Sequence, residues 1–185
     1  AAGAPPAAAP VAAAGGFLGA FDDLVAQHVR PLVALSKEIG EDVATMGGFL
    51  EGVFTAQREF LAKAGGCAKP GGDQLQAMLQ PMAAFMNQAS DFNNKGQRGK
   101  WANHAASFAE GMQAIAWVSV EPTPAPFIGD ALEGMDMYNN RILTSFKTDA
   151  PRQCDWARKW KALLQELQRY VKAHHTTGVA WKAGG

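Results

Sequence analysis

The sequence has little cysteine, no net charge and no long apolar run. Only Cys67 and Cys154 occur among 185 residues, too few for a disulfide framework, so we expect reduced thiols in the cytoplasm, although a single bridge between the two stays open. Seventeen basic and seventeen acidic residues cancel, which gives no general electrostatic reason to bind nucleic acid or an anionic membrane surface. No apolar stretch approaches the roughly 20 residues that a membrane helix needs.

The sequence also lacks the residue spacings of a metal or catalytic site. Its four histidines are His28, His104, His174 and His175. None belongs to a His-x-x-x-His or Glu-x-x-His pair, and there is no Cys-x-x-Cys. Neighbouring carboxylates such as Asp22 and Asp23 are interpreted as solvated charges rather than as an acid–base pair. We therefore predict no enzyme, no metal and no cofactor.

What the sequence does contain is apolar side chains at helical spacing. Between Pro151 and Trp181 the stripe of Trp156, Trp160, Leu163, Leu167 and Val171 recurs at steps of four and three, which places it on one face of a helix. Pro151 suits the first helical turn, and Gly178 suits the left-handed ending. The same spacing predicts earlier helices in Phe17–Gly40 (broken near Val29–Pro31), Glu41–Ala64, from Asp73, Trp101–Ala116 and Phe127–Phe146.

Short connections between these helices make sequence neighbours antiparallel. The predicted fold is all-α, an up-and-down antiparallel bundle of about six helices over residues 17–181. Residues 1–16 are predicted to form a disordered Ala/Pro/Gly-rich linker, and residues 182–185 a flexible end. Asp73 and Gln76 suggest a capping box, and residues 121–126 are predicted to form an extended, proline-rich link. In such a bundle alternate connections share an end, so 65–72, 121–126 and 174–178 should lie together, opposite 93–100.

Two polar stretches are unusual for mere connections. One is NKGQRGKWANH, which contains Arg98 and Lys100, and the other is HHTTG, which begins with His174 and His175. They are interpreted either as loops and helix caps or as a polar protein-binding surface. Rival hypotheses for the whole domain are a small-molecule site inside the bundle and a purely dimerising bundle.

Four segments together resemble the N-terminal helical domain of cyclase-associated protein, a family that regulates actin. They are FDDLVAQHVRPLVALSKEIG, RGKWANHAASFAEGMQAIAWVSVEPTPAPF, MYNNRILTSFK and DWARKWKALLQELQRYVKAHHTTGVAW. Each motif is weak alone, but their order over Phe17–Trp181 is specific. The resemblance implies a helical bundle without catalytic residues that binds cofilin-decorated actin filaments and promotes their severing and pointed-end disassembly.

The resemblance also implies partners and contact residues. Actin and cofilin are the expected partners, a homodimer is possible, and adenylyl cyclase would be bound only by a coiled coil that is absent from this sequence. The initial Ala/Pro-rich stretch would then be the linker that follows that coiled coil. The expected protein-binding residues are Arg98, Lys100, Asn103, His104, Asn140, Arg141, His174, His175, Thr176, Thr177 and Gly178.

Overall fold

The computed structural model describes residues 16–96, 98–148 and 150–182, so the predicted linker, apart from Gly16, and most of the predicted flexible end lie outside the described residues. Within these ranges the chain forms helices and no strand. The helices are α1 (Gly16–Leu24, a π-helical turn Val25–Val29, and Arg30–Ile39), α2 (Glu41–Gly66), α3 (Gly72–Lys95), α4 (Ala102–Met112, extended by the 3₁₀ helix Gln113–Ser119), α5 (Ala125–Ser145) and α6 (Pro151–His174).

Each helix packs against its neighbours in sequence, and α6 closes the ring by packing against α1. The predicted all-α bundle of six helices is confirmed. The core is made by the stripes that the spacing indicated: Trp156, Trp160, Leu163, Leu167 and Val171 are all buried.

Four buried tryptophans fix how the helices meet, because a buried indole N–H needs an acceptor. Each of the four donates to a group on another helix. The acceptors are Glu41 Oε2 for Trp101, Gln57 Oε1 for Trp117, Ser36 Oγ for Trp156 and the backbone oxygen of Ser107 for Trp160.

Two prolines lie within helices of the structure. Before Pro31, α1 widens into the π-helical turn Val25–Val29 and then continues. Since proline lacks an N–H and its ring crowds the carbonyl four residues earlier, a π turn keeps the chain helical there. The predicted break is therefore a local change of helix type. Pro81 lies inside α3, which runs on to Lys95.

Two predicted boundaries are wrong. Gly71 is the N-cap of α3 and makes no side-chain capping bond, so Asp73 lies inside the first turn and does not form the predicted capping box. A carboxylate there still favours the positive end of the helix dipole. The link after α4 is also shorter than predicted, because Ala125 already begins α5 and Pro126 occupies its first turn, where a missing N–H costs nothing.

Candidate protein-binding surfaces

The helix connections collect at two ends of the bundle, with the pairing that the chain order predicts. The histidine end consists of the connections 67–71, 120–124 and 175–182. There Lys69 Nζ lies 3.0 Å from Glu121 Oε1, which joins the first two connections. The backbone N–H of Lys182 donates to the oxygen of Cys67 at 3.1 Å, which ties the third connection to the first.

The opposite end, here the arginine end, consists of Gly40 and the connections 96–101 and 146–150. Trp101 organises it: its Nε1–H donates to Glu41 Oε2 at 2.7 Å, and its ring stacks on Phe146 with centroids 6.4 Å apart. Lys100 Nζ lies 4.6 Å from the centre of the Trp101 ring and 3.9 Å from Glu41 Oε2. Residues Arg98 and Lys100 are exposed beside this anchor.

His175 is a structural residue of the histidine end. It is 1% exposed. Its Nδ1 accepts the backbone N–H of Ala180 at 3.0 Å, so the ring proton lies on Nε2, 3.0 Å from the hydroxyl oxygen of Tyr170. The Tyr170 hydroxyl in turn donates to the backbone oxygen of Phe17 at 2.9 Å. His175 thus holds the beginning and the end of the described fold together, and its side chain offers a partner no surface.

His104 is equally internal, at the arginine end. Its Nε2 lies 2.8 Å from Gln153 Oε1, and its ring is surrounded by the side chains of Trp101, Phe146 and Trp156. Within the described part of the chain, no group forms a hydrogen bond with its buried Nδ1 atom. Like His175, the His104 side chain was predicted to contact a partner, but it is buried inside the fold and does not reach the surface.

Burial lowers the pKa of both internal histidines to about 4, because an apolar surrounding disfavours the charged imidazolium. For His104 the hydrogen bond to Gln153 opposes the shift, and for His175 the charge of His174 adds to it. Both rings are neutral at physiological pH.

The other predicted contact residues divide between the surface and the interior. Asn103 is half-buried. Gly178 is buried at φ 124°, and a Cβ at this position would lie 2.9 Å from the side chain of Glu121, so the turn requires glycine here. The exposed members of the predicted set are Arg98, Lys100, Asn140, Arg141, His174, Thr176 and Thr177.

The outward face of α5 carries an exposed apolar residue that sequence reasoning did not single out. Met137 is 51% exposed, the large apolar side chain that stands out among the described residues. Arg141 lies over both Met137 and the ring of Tyr138. The sequence could have indicated this exposure, because Met137 lies outside the apolar stripe of α5 that contains Met135, Tyr138 and Ile142.

Neither cysteine forms a disulfide. Cys67 is exposed at the end of α2 and Cys154 is buried in the first turn of α6. In the described ranges no helix is both long and apolar enough to cross a membrane. Across the same residues no three His, Cys, Asp or Glu side chains converge as metal ligands would.

Comparison with known proteins gives consistent results. Residues 21–179 match the family model described as CAP, N-terminal domain. The chain is 32% identical to adenylyl cyclase-associated protein 1 of Mus musculus, in a match that covers 91% of this chain and 36% of that protein. It is 31% identical to adenylyl cyclase-associated protein of Dictyostelium discoideum, in a match that covers 89% of this chain and 36% of that protein. It therefore spans about a third of the length of these relatives.

Solved structures agree with the sequence comparison. The N-terminal domain of the Dictyostelium discoideum protein superimposes with a TM-score of 0.85 at 30% identity, covering 89% of this chain and 94% of that one. A crystal structure of a CAP N-terminal domain, described as indicating variable oligomerisation, gives a TM-score of 0.87 at 30% identity, covering 91% of each chain. The family match extends over most of the bundle and the helices superimpose, so the chain belongs to the family of N-terminal domains of cyclase-associated proteins.

Proposed function

We propose that this domain is a non-catalytic interaction module of the cytoplasmic actin cytoskeleton. Its partners are filaments decorated with cofilin, and its action is to promote their severing and their disassembly from the pointed end. Family membership over residues 21–179 is the observation that carries the proposal. The exposed polar groups of the two bundle ends and of α5 supply surfaces that such a module needs.

The placement of the two ends suggests how one domain would engage a filament. Arg98 and Lys100 lie at the arginine end, whereas His174 and Thr177 lie at the histidine end, about the length of a 24-residue helix away. A single compact partner patch does not reach both ends. A filament offers two kinds of protomer, so a bundle lying along it can use both.

The rival small-molecule site has weaker support. A groove of about 640 Å³ runs between α1 and α2 over an apolar floor that includes Val29 and Phe54. Its polar groups are largely paired with one another: Arg58 makes two hydrogen bonds of 3.0 Å to Asp22. A specific ligand site needs polar groups that converge on the ligand, and these converge on each other.

Separable defects at the two ends test the proposal. Arg98→Ala with Lys100→Ala, and separately His174→Ala with Thr177→Ala, should each slow cofilin-dependent severing more than tenfold, since a central interface residue contributes about 2 kcal/mol and about 1.4 kcal/mol corresponds to tenfold. All four side chains are exposed, so the melting temperature should change by only a few degrees. Severing events are counted on single filaments by fluorescence microscopy, with the parental domain and each double variant at equal concentration.

The matched control is Arg158→Ala, which removes an exposed arginine already paired with Asp155 at 3.5 Å on the same helix. It should sever at the parental rate. Co-sedimentation of the parental domain with actin filaments, with and without cofilin, supplies the base measurement. A parental domain that fails to bind decorated filaments rejects the proposed function, and two folded double variants that sever normally reject the end surfaces alone.

A further inference from the structure

The outward face of α5 presents an arginine that is held in place before any partner arrives. We propose that Arg141, supported by Met137 and Tyr138, is an anchor that binds a carboxylate of a protein partner. The inference rests on the proposed function for the identity of that partner, a component of the cofilin-decorated filament. It adds the chemistry that this particular surface recognises.

The support under Arg141 is built from its own helix. Met137 precedes it by one helical turn, with Arg141 Nη2 3.8 Å from the Met137 sulfur. The guanidinium carbon lies 5.6 Å from the centre of the Tyr138 ring, a cation–π distance. A free arginine loses considerable rotamer entropy when a partner immobilises it, and these contacts remove part of that loss in advance.

Most donors of Arg141 remain available, since the hydrogen bond found for it in the described part of the chain is the one from Nη2 to the Met137 sulfur. Among the described residues it makes no ion pair, whereas Arg58, Arg158 and Arg169 are each paired with a carboxylate of this chain. The five N–H groups of a guanidinium lie in one plane, so most of them remain for an acceptor at its edge. A carboxylate matches that planar fork with two parallel hydrogen bonds.

The composition of the patch is that of an interface centre. Methionine, tyrosine and arginine are enriched there, and tyrosine and arginine supply many of the residues that dominate binding energy. Asn140 is exposed beside them, and the hydroxyl of Thr144 is turned back to the Asn140 backbone oxygen at 2.9 Å. The patch therefore offers an apolar platform with one strong, directed cation.

The surrounding charges select one class of partner. The exposed carboxylates Asp130 and Glu133 lie on α5 towards its beginning, and the exposed Lys147 follows its end. Polyanions such as nucleic acids and acidic lipid surfaces need several neighbouring cations, and they would be repelled by the two carboxylates. A single Asp or Glu side chain approaching from the Lys147 side meets two cations, Lys147 and Arg141, away from those two carboxylates. The face thus fits an acidic protein segment.

The test compares binding of four domains to cofilin-decorated filaments by co-sedimentation: the parent, R141A, R141K and M137A. We expect R141A to weaken binding at least tenfold. R141K keeps the charge but loses the planar fork, so its affinity should fall between those of the parent and R141A. M137A removes half of the support and should weaken binding about threefold. The control R158A should bind like the parent, and because all these side chains are exposed, circular dichroism should show unchanged helices.

A zero-length carbodiimide cross-link identifies the acceptor, because it couples an amine only to a carboxylate in contact. With decorated filaments in excess, Lys at position 141 of the R141K variant should couple to one Asp or Glu of actin or cofilin, identified by mass spectrometry. Parental affinity of R141A, or absence of that cross-link from filament-bound R141K, overturns the inference while leaving the proposed function intact. The inference is also overturned if the parental domain binds anionic vesicles or polynucleotides as tightly as it binds filaments and R141A weakens that binding. Absence of any filament binding by the parent rejects the proposed function itself.

Discussion

Replacing Trp156 with alanine is expected to lower the free energy of unfolding by about 3–5 kcal/mol, the cost of removing a large buried aromatic side chain. Trp156 is 1% exposed. It lies on α6, its Nε1–H donates to Ser36 Oγ on α1 at 3.0 Å, and its ring contacts that of His104 on α4. The substitution therefore opens a cavity where the last helix closes the ring of helices. Equilibrium urea unfolding followed by circular dichroism measures the change.

Trp156→Phe separates the cavity from the hydrogen bond. Phenylalanine keeps most of the apolar volume but cannot donate, and the Ser36 hydroxyl still donates to the backbone oxygen of Leu32 at 2.7 Å. One acceptor lone pair is left unpaired, so the expected loss is about 1–2 kcal/mol. A Trp156→Ala variant that unfolds at the parental urea concentration would show that the interface between α1 and α6 does not depend on this side chain.

The helical stripes were predictable from sequence because burial of one helix face requires apolar residues to recur every three or four positions. The order of the connections also followed, since a chain that runs up and down has only two ends at which to turn. Two glycines of α2 permit close approach, since a Cβ at Gly47 would clash with Ser36 and one at Gly52 with Phe85. A Cβ at Gly48 would meet nothing within 4 Å, because the next residue along the helix is turned by about 100° and is exposed.

The wrong boundaries have local causes. A carboxylate followed three residues later by glutamine matches the capping pattern, yet Gly71 is the N-cap of α3, two residues before Asp73. Pro126 was assigned to an extended link, but proline is as compatible with a first helical turn as with extended backbone. Sequence alone does not distinguish these two uses.

The candidate contact residues were harder to predict, because burial of a polar side chain is a tertiary property. His174 and His175 are chemically identical neighbours, yet α6 ends at His174 and the chain turns there. That turn directs His175 inward onto Tyr170 and leaves His174 exposed. His104 is likewise interior because Gln153 of α6 supplies its acceptor. Neither arrangement leaves a pattern along the chain.

The two internal histidines should make the bundle acid-sensitive well above the pH at which carboxylates are protonated. Folding lowers the pKa of each from 6.5 to about 4, so between these values the unfolded chain binds protons that the folded chain excludes. The stability that comes from keeping both rings neutral is complete above pH 6.5 and is lost as the pH falls towards 4. At 1.36 kcal/mol per pKa unit, each histidine accounts for about 3 kcal/mol over that interval.

The geometry explains why the folded state resists protonation. A proton on Nδ1 of His175 would point at the N–H of Ala180 that this atom now accepts. A proton on Nδ1 of His104 would place a charge among three aromatic rings, and no acceptor for it is present in the described ranges. In both cases the cost is paid only in the folded state, because water solvates the imidazolium in the unfolded chain.

The free energy of unfolding, measured by urea titration at pH 7.0, 6.0, 5.5 and 5.0, should therefore fall as the pH is lowered. Near pH 5.3 the slope should be about 2.5 kcal/mol per pH unit, which corresponds to nearly two protons taken up on unfolding. His104→Gln and His175→Gln will each be less stable than the parent at pH 7, because each disturbs a buried hydrogen-bonded site. Each single variant should nevertheless take up about one proton fewer on unfolding, and the double variant about two fewer, so the slope should be halved and then abolished.

A slope that survives in the double variant would assign the acid sensitivity to other groups. A parental slope near zero would mean that the two rings accept protons inside the fold, which their hydrogen bonds and burial oppose.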